Sequence, residues 1–543
     1  MDSNNSLKKP TAEEAAGYNR TIQSMRHGDS VLAVIGSERV KVTEADNKWI
    51  CRKTDKVILA ILVWVYFLQI LDKSVLGYAA IFGLQEDTHL TGNEYSLVGS
   101  IAAMAQLAWQ PFSMVLIVKV PHRILMPSLV LGWGIAQASM ASCNTYAGLL
   151  ATRFFLGLFE AGCLPLFSII TSQWYRRAEQ PVRVAAWYGT NGLATMAASS
   201  LSFGLGHIQS DKLESWRIIF LVVGMITVVS APLVYWKLPN DIPSAHFLTA
   251  HERKQAIERL RFNQTGTGSR AFRWRQVGEA FLGLETYLWI SMSLLLNVGA
   301  SVTNIFGPLI LNGLGYDKYI TSLLNIPFGA VQFMIILAAS YAAQKVRLKS
   351  AVLVVLALPV IAGLAMLYAL QQTQGGNQAP RLAAYYLLAF LFGGNPLLVA
   401  WIVGNTAGTT KKSFVMSLYN AGSSAGNIIG PLLFAQQDAP GYRPGLRAVL
   451  GIFSTLVVVV GIQVCNLMVL NWQHSERRLE EGKKKDFKDI SMTAKFSDSV
   501  STENTEGEAE AEAEAGGAPP KRLGENAFSD ITDRKNSEFV YIY

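Results

Sequence analysis

The stretch that decides the fold is YAGLLATRFFLGLFEAGCLPLFSIITSQW, residues 146–174, an apolar run that holds one arginine and one glutamate. At ~1.5 Å per residue, a helix of this length crosses the ~30 Å hydrocarbon core of a membrane, so Arg153 and Glu160 are predicted to lie inside the bilayer. Intramembrane charges usually face a protein interior or a watery cavity. Seven residues are almost two helical turns, so both side chains are predicted to share one helix face, ~10 Å apart.

Apolar blocks of similar length recur along the 543 residues, half of which are hydrophobic. The predicted fold class is therefore an all-α membrane protein with 12 transmembrane helices in two pseudo-symmetric six-helix bundles. The predicted spans are 57–84, 95–118, 122–142, 146–174, 183–207, 217–237, 282–312, 319–343, 349–371, 382–407, 413–435 and 446–471.

The polar stretches divide the chain further. Thr249 and Glu252 form a capping-box pattern inside the stretch between the sixth and seventh spans. Residues 507–520 are Glu/Ala-rich, a composition that cannot bury a core. The predicted domains are a cytosolic disordered tail (1–55), an N-terminal bundle (56–237), a cytosolic central loop with amphipathic helices (238–281), a C-terminal bundle (282–471) and a cytosolic disordered acidic tail (472–543).

The net charge of +8 is explained by topology. Residues 56–471 hold 27 of the 47 basic and 15 of the 39 acidic side chains. Four short loops, between spans 2–3, 4–5, 8–9 and 10–11, carry ten Lys and Arg residues, against six on the six opposite loops. By the positive-inside rule, these four loops and both termini are predicted to be cytosolic, which leaves little support for nucleic-acid binding.

Motifs of enzymes and metal sites do not emerge from the sequence. The four cysteines show neither disulfide nor metal-ligand spacing, and a phosphate-binding loop, a zinc signature and a nucleophile elbow are all missing. The chain is therefore predicted not to be an enzyme and to use no metal and no cofactor.

The first predicted span contains a second mixed pair, Asp72 and Lys73. Adjacent helical residues point about 100° apart, so each of these charges needs another partner. Arg153 is the natural partner for Asp72, while Lys73 is free to present its ammonium group to a cavity. Two alternatives stay open: Arg153 and Glu160 could form a structural pair, and Lys73 could extend to the membrane interface.

Two acids and two bases in one low-dielectric compartment are typical of a proton-coupled anion carrier. Burial favours the neutral form of an acid and a nearby cation favours its charged form, so an acid can load and release a proton as its surroundings alternate. Cations can hold a carboxylate. We assign proton coupling to Asp72 and Glu160 and binding of the substrate anion to Lys73 and Arg153, with the proton gradient as driving force.

Further polar residues in the spans are candidates for lining the pathway, although hydrogen bonds that hold neighbouring helices together would explain them equally well. The glycines at 422, 426 and 430 recur every fourth residue, a spacing that favours close helix contact over chemistry. Aromatic residues such as Tyr66 and Trp187 are more often packing residues than substrate contacts. The candidate lining residues are Asn191, Asn297, Asn304, Asn395 and Asn405.

Six segments stand out beside the charged residues: RFFLGLFEAGCLP (153–165), WYRRAEQPVR (174–183), GLGYDKYITSLLNIP (313–327), NTAGTTKK (405–412), SAGNIIGPLLF (424–434) and DAPGYRPG (438–445). Together they resemble the allantoate permease branch of the fungal anion:cation symporters, within the major facilitator superfamily. The resemblance covers about residues 55–475. One departure is the loop VKVPHRIL (118–125), which keeps Lys119 and Arg123 but lacks the Gly and Asp that are usual there.

This resemblance implies alternating access and proton-driven uptake of a small organic anion of the allantoate, ureidosuccinate or vitamin carboxylate class. It also implies proton transfer at Asp72 and Glu160 and anion contact at Lys73 and Arg153. Lys73 stands where relatives more often have arginine, so it offers no bidentate fork. We expect a monomer in the plasma membrane, whose partners are the lipid bilayer, protons and a carboxylate. The alternatives are a metabolite-pathway carrier or exporter, on the plasma or an internal membrane, and a signalling scaffold with vestigial transport.

Overall fold

The structure of the protein is a computed structural model. Eleven stretches of the chain are described, and they include most of every predicted span. They are residue 40 and residues 42–81, 83–90, 94–206, 208, 213–260, 272–312, 318–370, 378–433, 443–481 and 530–543.

Residues 42–237 form long helices joined by short connections. The helix of the first predicted span begins with a π-helical turn, Asp55–Leu59. The helices are α1 (Glu44–Thr54), α2 (Ala60–Ile81), α3 (Leu84–Asp87), α4 (Glu94–Lys119), α5 (His122–Ser139), α6 (Tyr146–Glu160), α7 (Cys163–Trp174), α8 (Gln180–Gly206) and α9 (Ser215–Lys237), with a 3-10 turn at Met140–Ser142.

Residues 238–543 continue with two short helices and then a second set of long ones. The short helices are α10 (Ala250–Glu258) and α11 (Trp274–Phe281). The remaining elements are α12 (Leu284–Asn312), α13 (Lys318–Val346), α14 (Lys349–Leu370), α15 (Gln378–Leu387), a 3-10 segment (Leu388–Gly393), α16 (Gly394–Gly404), α17 (Thr409–Leu432), α18 (Arg443–Glu480) and a 3-10 turn (Asp533–Lys535).

Every predicted span corresponds to helical structure. Within the described residues, nine helices are long and apolar enough to cross a membrane, or ten if the bent pair Trp274–Phe281 and Leu284–Ser301 counts as one span. The segments α8 and α17 are helical but carry more polar residues than the other spans. The count of twelve spans and the cytosolic position of the termini therefore stay predictions.

Two spans that the sequence predicted as single helices are interrupted. The span 146–174 has a turn at Ala161 and Gly162, directly after Glu160, where α6 passes into α7. The span 382–407 passes through the 3-10 segment between α15 and α16. Both segments are still single membrane-length spans, Tyr146–Trp174 and Ala379–Gly404, as predicted, but apolar composition gave no sign of the local change in winding.

Small residues allow close helix packing, both within and between the two halves of the molecule (56–237 and 282–471). A Cβ atom at Gly422 or Gly426 would come within 3 Å of the backbone oxygens of Ile290 or Leu294, so α17 packs directly on the backbone of α12. This confirms the predicted role of the glycine repeat. Between the halves, a Cβ atom at Gly192 on α8 would collide with the carbonyl oxygen of Gly329 on α13.

One end of the molecule carries the polar elements, and we call it the terminal face: α1, α10, α11 and residues 530–543 lie there. The Thr249–Glu252 capping box is confirmed at the start of α10, where the Thr249 backbone N–H donates to Glu252 at 2.8 Å. Glu252 also accepts hydrogen bonds from Trp49 and Lys53 of α1. The prediction that residues 1–55 are disordered was wrong for α1, which these contacts hold against the central loop.

The prediction of a disordered tail at 472–543 was also wrong at both its ends. Helix α18 continues to Glu480, and residues 530–543 lie against the terminal face with most of their side chains buried. Their composition is polar, but their binding partners are elsewhere in the chain, so no local pattern could reveal them. The low-complexity stretch 507–520 lies outside the described residues.

Candidate functional site

The centre of the site is a buried glutamate at the end of α6. The Oε2 atom of Glu160 lies 3.2 Å from the Nζ atom of Lys73 on α2 and accepts a hydrogen bond from the Gln106 amide on α4 at 2.8 Å. Glu160 is buried, whereas 42% of the Lys73 side chain is exposed. Lys73 therefore pairs with an acid and still reaches open space, as a cation that exchanges partners must.

Asp72 lies next to Lys73 on α2 but faces another set of helices. Its Oδ2 atom accepts hydrogen bonds from the Trp133 indole on α5 at 2.8 Å and from the Thr227 hydroxyl on α9 at 3.2 Å. Two neutral groups thus donate hydrogen bonds to Asp72, and the pairing of Asp72 with Arg153 stays a prediction. The residue spacing fixed the direction of each side chain only relative to its own helix, not the rotation of that helix against its neighbours.

Each of the two carboxylates uses only one of its oxygens. In the described part of the chain, the Oδ1 atom of Asp72 and the Oε1 atom of Glu160 are buried without a hydrogen-bond partner. Arg153 is buried two turns before Glu160 on α6. A buried carboxylate oxygen without a donor is costly when the group is charged, so these two atoms are open positions for a proton or a ligand donor.

The turn after Glu160 has its own polar contacts. Because Pro165, four residues on, has no N–H to donate, the carbonyl oxygen of Ala161 accepts hydrogen bonds from the amide of Asn420 on α17 at 2.9 Å and from that of Gln110 on α4 at 3.3 Å. Asn420 belongs to the opposite half of the molecule. The end of α6 that carries Glu160 is thereby connected directly to the second half.

A line of polar groups crosses from one half to the other. The hydroxyl oxygens of Tyr188 on α8 and Tyr419 on α17 are 3.4 Å apart, and Tyr419 donates to the Asn395 side chain at 3.1 Å. Asn297 donates to the same Asn395 oxygen at 3.3 Å. Of the predicted lining residues, Asn297 and Asn395 are thus brought together near the interface between the halves.

The other predicted lining residues do not join this group. Asn405 lies at the terminal face, where its amide binds the backbone of Ile542, so its assignment to the pathway is corrected. Asn191 is half-buried on α8 beside Gly192. The side chain of Asn304 lies outside the described residues. The aromatic rings of Tyr66, Trp187 and Tyr188 pack against one another, as expected of packing residues.

Sequence reasoning missed several of the side chains that contact the two acids or the turn that follows Glu160. Gln106 and Gln110 are polar residues within an apolar span, a signal that could have identified them. Trp133 and Thr227 carry no comparable signal, because Trp and Thr are common in transmembrane helices for packing alone. Among the described residues, no group of three His, Cys, Asp or Glu side chains could hold a metal ion.

Comparisons with known proteins agree on the class of protein. The family model of the Major Facilitator Superfamily matches residues 62–431. The Thiamine pathway transporter THI73 of Saccharomyces cerevisiae is 32% identical over 81% of this chain and 84% of its own length. The Allantoate permease of the same yeast is 26% identical over 86% of this chain and 87% of its own. The solved proton:xylose symporter XylE is 13% identical and matches 77% of this chain and 95% of its own with a TM-score of 0.59.

Proposed function

This chain belongs to the major facilitator superfamily and is a secondary transporter, and we propose that it couples the uptake of a small organic anion to protons. The proposed substrate class is that of allantoate, ureidosuccinate and vitamin carboxylates, and the proposed location is the plasma membrane. The assignment of an anion rests on the cations in the site and on the name of one relative, the Allantoate permease.

The observation that supports this proposal is a pair of buried carboxylates that each use only one oxygen as a hydrogen-bond acceptor. Asp72 and Glu160 are both buried, and each has one oxygen without a donor in the described part of the chain. A proton on such an oxygen removes the charge that burial disfavours. Two acids in this condition, next to a lysine that reaches open space, have the chemistry required to exchange a proton during transport.

Lys73 provides the switch between proton and substrate. In the present arrangement its ammonium group is held by Glu160. When Glu160 is protonated, this ion pair is lost and Lys73 is released to bind a substrate carboxylate through a charge-assisted hydrogen bond. Protonation and anion binding are thus linked through one side chain, and Arg153 supplies a second cation on the same helix as Glu160.

The test is uptake of labelled allantoate, nicotinate, pantothenate, biotin and a dipeptide into transporter-deficient yeast at pH 5 and pH 7. We expect one anion to enter faster at pH 5, and Glu160→Gln to abolish this pH dependence because the amide cannot exchange a proton. Glu86→Gln, the same change at an exposed glutamate of α3, is the matched control and should behave as the unsubstituted chain.

The similarity to the Thiamine pathway transporter supports a second candidate, a metabolite-pathway carrier or exporter of the same fold. Surface expression without uptake of any anion in the panel would contradict the nutrient importer and favour this carrier. Uptake that is equally fast at both pH values would contradict proton coupling. Localisation of a tagged chain to an internal membrane would overturn the plasma-membrane part of the proposal.

A further inference from the structure

Residues 530–543, DITDRKNSEFVYIY, occupy a groove on the terminal face, and the groove contacts their backbone directly. The Asn405 amide donates to the Ile542 carbonyl at 2.8 Å and accepts from the Ile542 N–H at 2.7 Å. Asn471 makes the same pair of contacts with Tyr541, both at 2.8 Å. A side-chain amide that satisfies both backbone groups of one residue holds an extended peptide whatever its side chain is.

Other polar contacts fix the register of the segment. The Trp401 indole donates to the Ile542 carbonyl at 2.8 Å, and His474 lies 3.0 Å from the Phe539 carbonyl. Trp401 and His474 are both buried. The groove thus presents buried polar side chains to the backbone at several successive positions, as peptide-binding sites do.

Charged side chains give the segment its specificity. Asp533 lies 2.9 Å from Lys411 at the start of α17, and Arg534 makes two parallel contacts to Glu285 at 3.1 and 2.8 Å. Burial opposes ionisation of Asp533, but Lys411 and the hydrogen bonds from Tyr541 and Ala407 outweigh it and hold the pKa of Asp533 below its ordinary value. An acidic residue followed by an arginine is therefore the ligand pattern that this groove matches.

The segment also reaches the opposite half of the molecule. The guanidinium carbon of Arg177, in the connection between α7 and α8, lies 4.2 Å from the centre of the Phe539 ring. Arg177 also donates to the Val540 carbonyl at 3.1 Å. Every other contact described above is to residues 279–474, so the segment bridges the two halves through Arg177.

At the same face the halves touch directly. The Lys412 ammonium group donates to the Ser172 hydroxyl at 3.2 Å, and the Ser413 hydroxyl donates to the Met114 carbonyl at 2.9 Å. In an alternating-access carrier these contacts must separate for the site to open toward this face. A peptide bound to both halves adds to the cost of that separation.

We propose that the terminal face contains a peptide-binding site whose ligand is the chain's own segment 530–543, and that the bound segment clamps this face closed. The ligand class is an extended peptide with an Asp–Arg pair followed by aromatic residues. Release of the segment lets the halves part and speeds the transport cycle. This inference does not depend on the substrate or on proton coupling.

Binding is tested with a fluorescein-labelled peptide of residues 530–543 and a chain truncated after Ser529. We expect the peptide to bind the truncated chain and to bind the full chain at least ten-fold more weakly, because there the site is occupied. A peptide with Asp533→Ala and Arg534→Ala is the control and should bind neither. Absence of binding to a truncated chain that is monodisperse and unfolds cooperatively would overturn the site.

The clamp is tested in the full chain by the rate at which a maleimide labels Ser172→Cys, in a Cys465→Ser background that removes the exposed cysteine. Phe539→Ala should label several-fold faster, because it loses the contact to Arg177. Lys535→Ala, at an exposed residue of the same segment, is the matched control and should leave the rate unchanged. Equal rates for Phe539→Ala and the parent would overturn the clamp, even if the peptide binds.

Discussion

The molecule contains two buried clusters of charge that differ in how completely they are neutralised. At the terminal face, Lys411 lies within 4 Å of three carboxylates, those of Glu279, Glu285 and Asp533. In the membrane, Glu160 has a single cation at 3.2 Å and one oxygen without a donor in the described part of the chain. The first arrangement suits a contact that holds firmly while it is formed, and the second suits groups that exchange partners within each transport cycle.

The difference follows from what each cluster must do. A buried ion pair whose members make all their hydrogen bonds loses several kcal/mol when one member is removed, so it resists change. A carboxylate with an open oxygen gains a proton or a ligand without breaking an existing contact. Substitutions in the two clusters should therefore affect different measurements, namely unfolding in one and uptake in the other.

The largest expected effect is on stability at the terminal face. Lys411→Met leaves three carboxylates without their shared cation, which should cost about 3–5 kcal/mol. We expect a lower unfolding temperature in detergent and faster cleavage by trypsin at Lys535, because residues 530–543 detach. Lys345→Met, at an exposed lysine, is the control. An unchanged unfolding temperature would show that this cluster contributes no more to stability than the cluster around Glu160 in the membrane.

The next largest effect is on uptake. Lys73→Met removes a charge-assisted contact of about 1.5–3 kcal/mol to the substrate, so uptake of the transported anion should fall about 10- to 150-fold. The unfolding temperature should change little, since Glu160 keeps its bond to Gln106 and can take a proton. Lys56→Met, at an exposed residue of the preceding π-helical turn, should retain full uptake. If Lys73→Met instead lowers the unfolding temperature and leaves uptake unchanged, the two clusters do not differ in role.

A smaller effect is expected where the membrane cluster relies on neutral donors. Thr227→Val removes one of the two hydrogen bonds to Asp72, worth about 1 kcal/mol, so uptake should fall about five-fold. Surface expression, measured in parallel, should be unchanged because Val has nearly the same shape as Thr. If uptake is unaffected, Asp72 takes no part in transport. Glu160 is then the acid in the membrane to which the contrast with the terminal face applies.

The smallest expected effect is at the surface, where Glu252 connects α10 to α1. Burial opposes its ionisation, but hydrogen bonds from Lys53, Thr249 and Trp49 outweigh burial and lower its pKa from 4.5 to about 2. The stabilisation is therefore complete above pH 4.5 and is lost as the pH falls toward 2. Because the pair is near solvent, Glu252→Gln should cost below about 1 kcal/mol at pH 7. The difference in unfolding temperature from the parent should shrink only below pH 4.5; a difference that is constant down to pH 3 would contradict this.

The sequence predicted the spans and the charged residues within them, because apolar length and a charge inside it are local signals. It did not predict which charges meet. Lys73 pairs with Glu160, and Asp72 is held by Trp133 and Thr227, because the rotation and tilt of each helix depend on packing across the whole bundle. The docked segment 530–543 was missed for a related reason: its partners, such as Asn405 and Asn471, are distant in sequence and its own composition resembles a solvated tail.

The meeting of Gly192 with Gly329 has a mechanical consequence. At this point the two halves approach each other through peptide backbone, with the side chains of Met196 and Phe333 beside it, so the approach itself requires no change of rotamer. We expect such a contact to act as a pivot, at which the distance between the two halves stays constant while their two ends move apart or together. The free energy needed for this motion is then set by contacts far from the pivot, such as that of Arg177 with Phe539, because a small rotation displaces those contacts most.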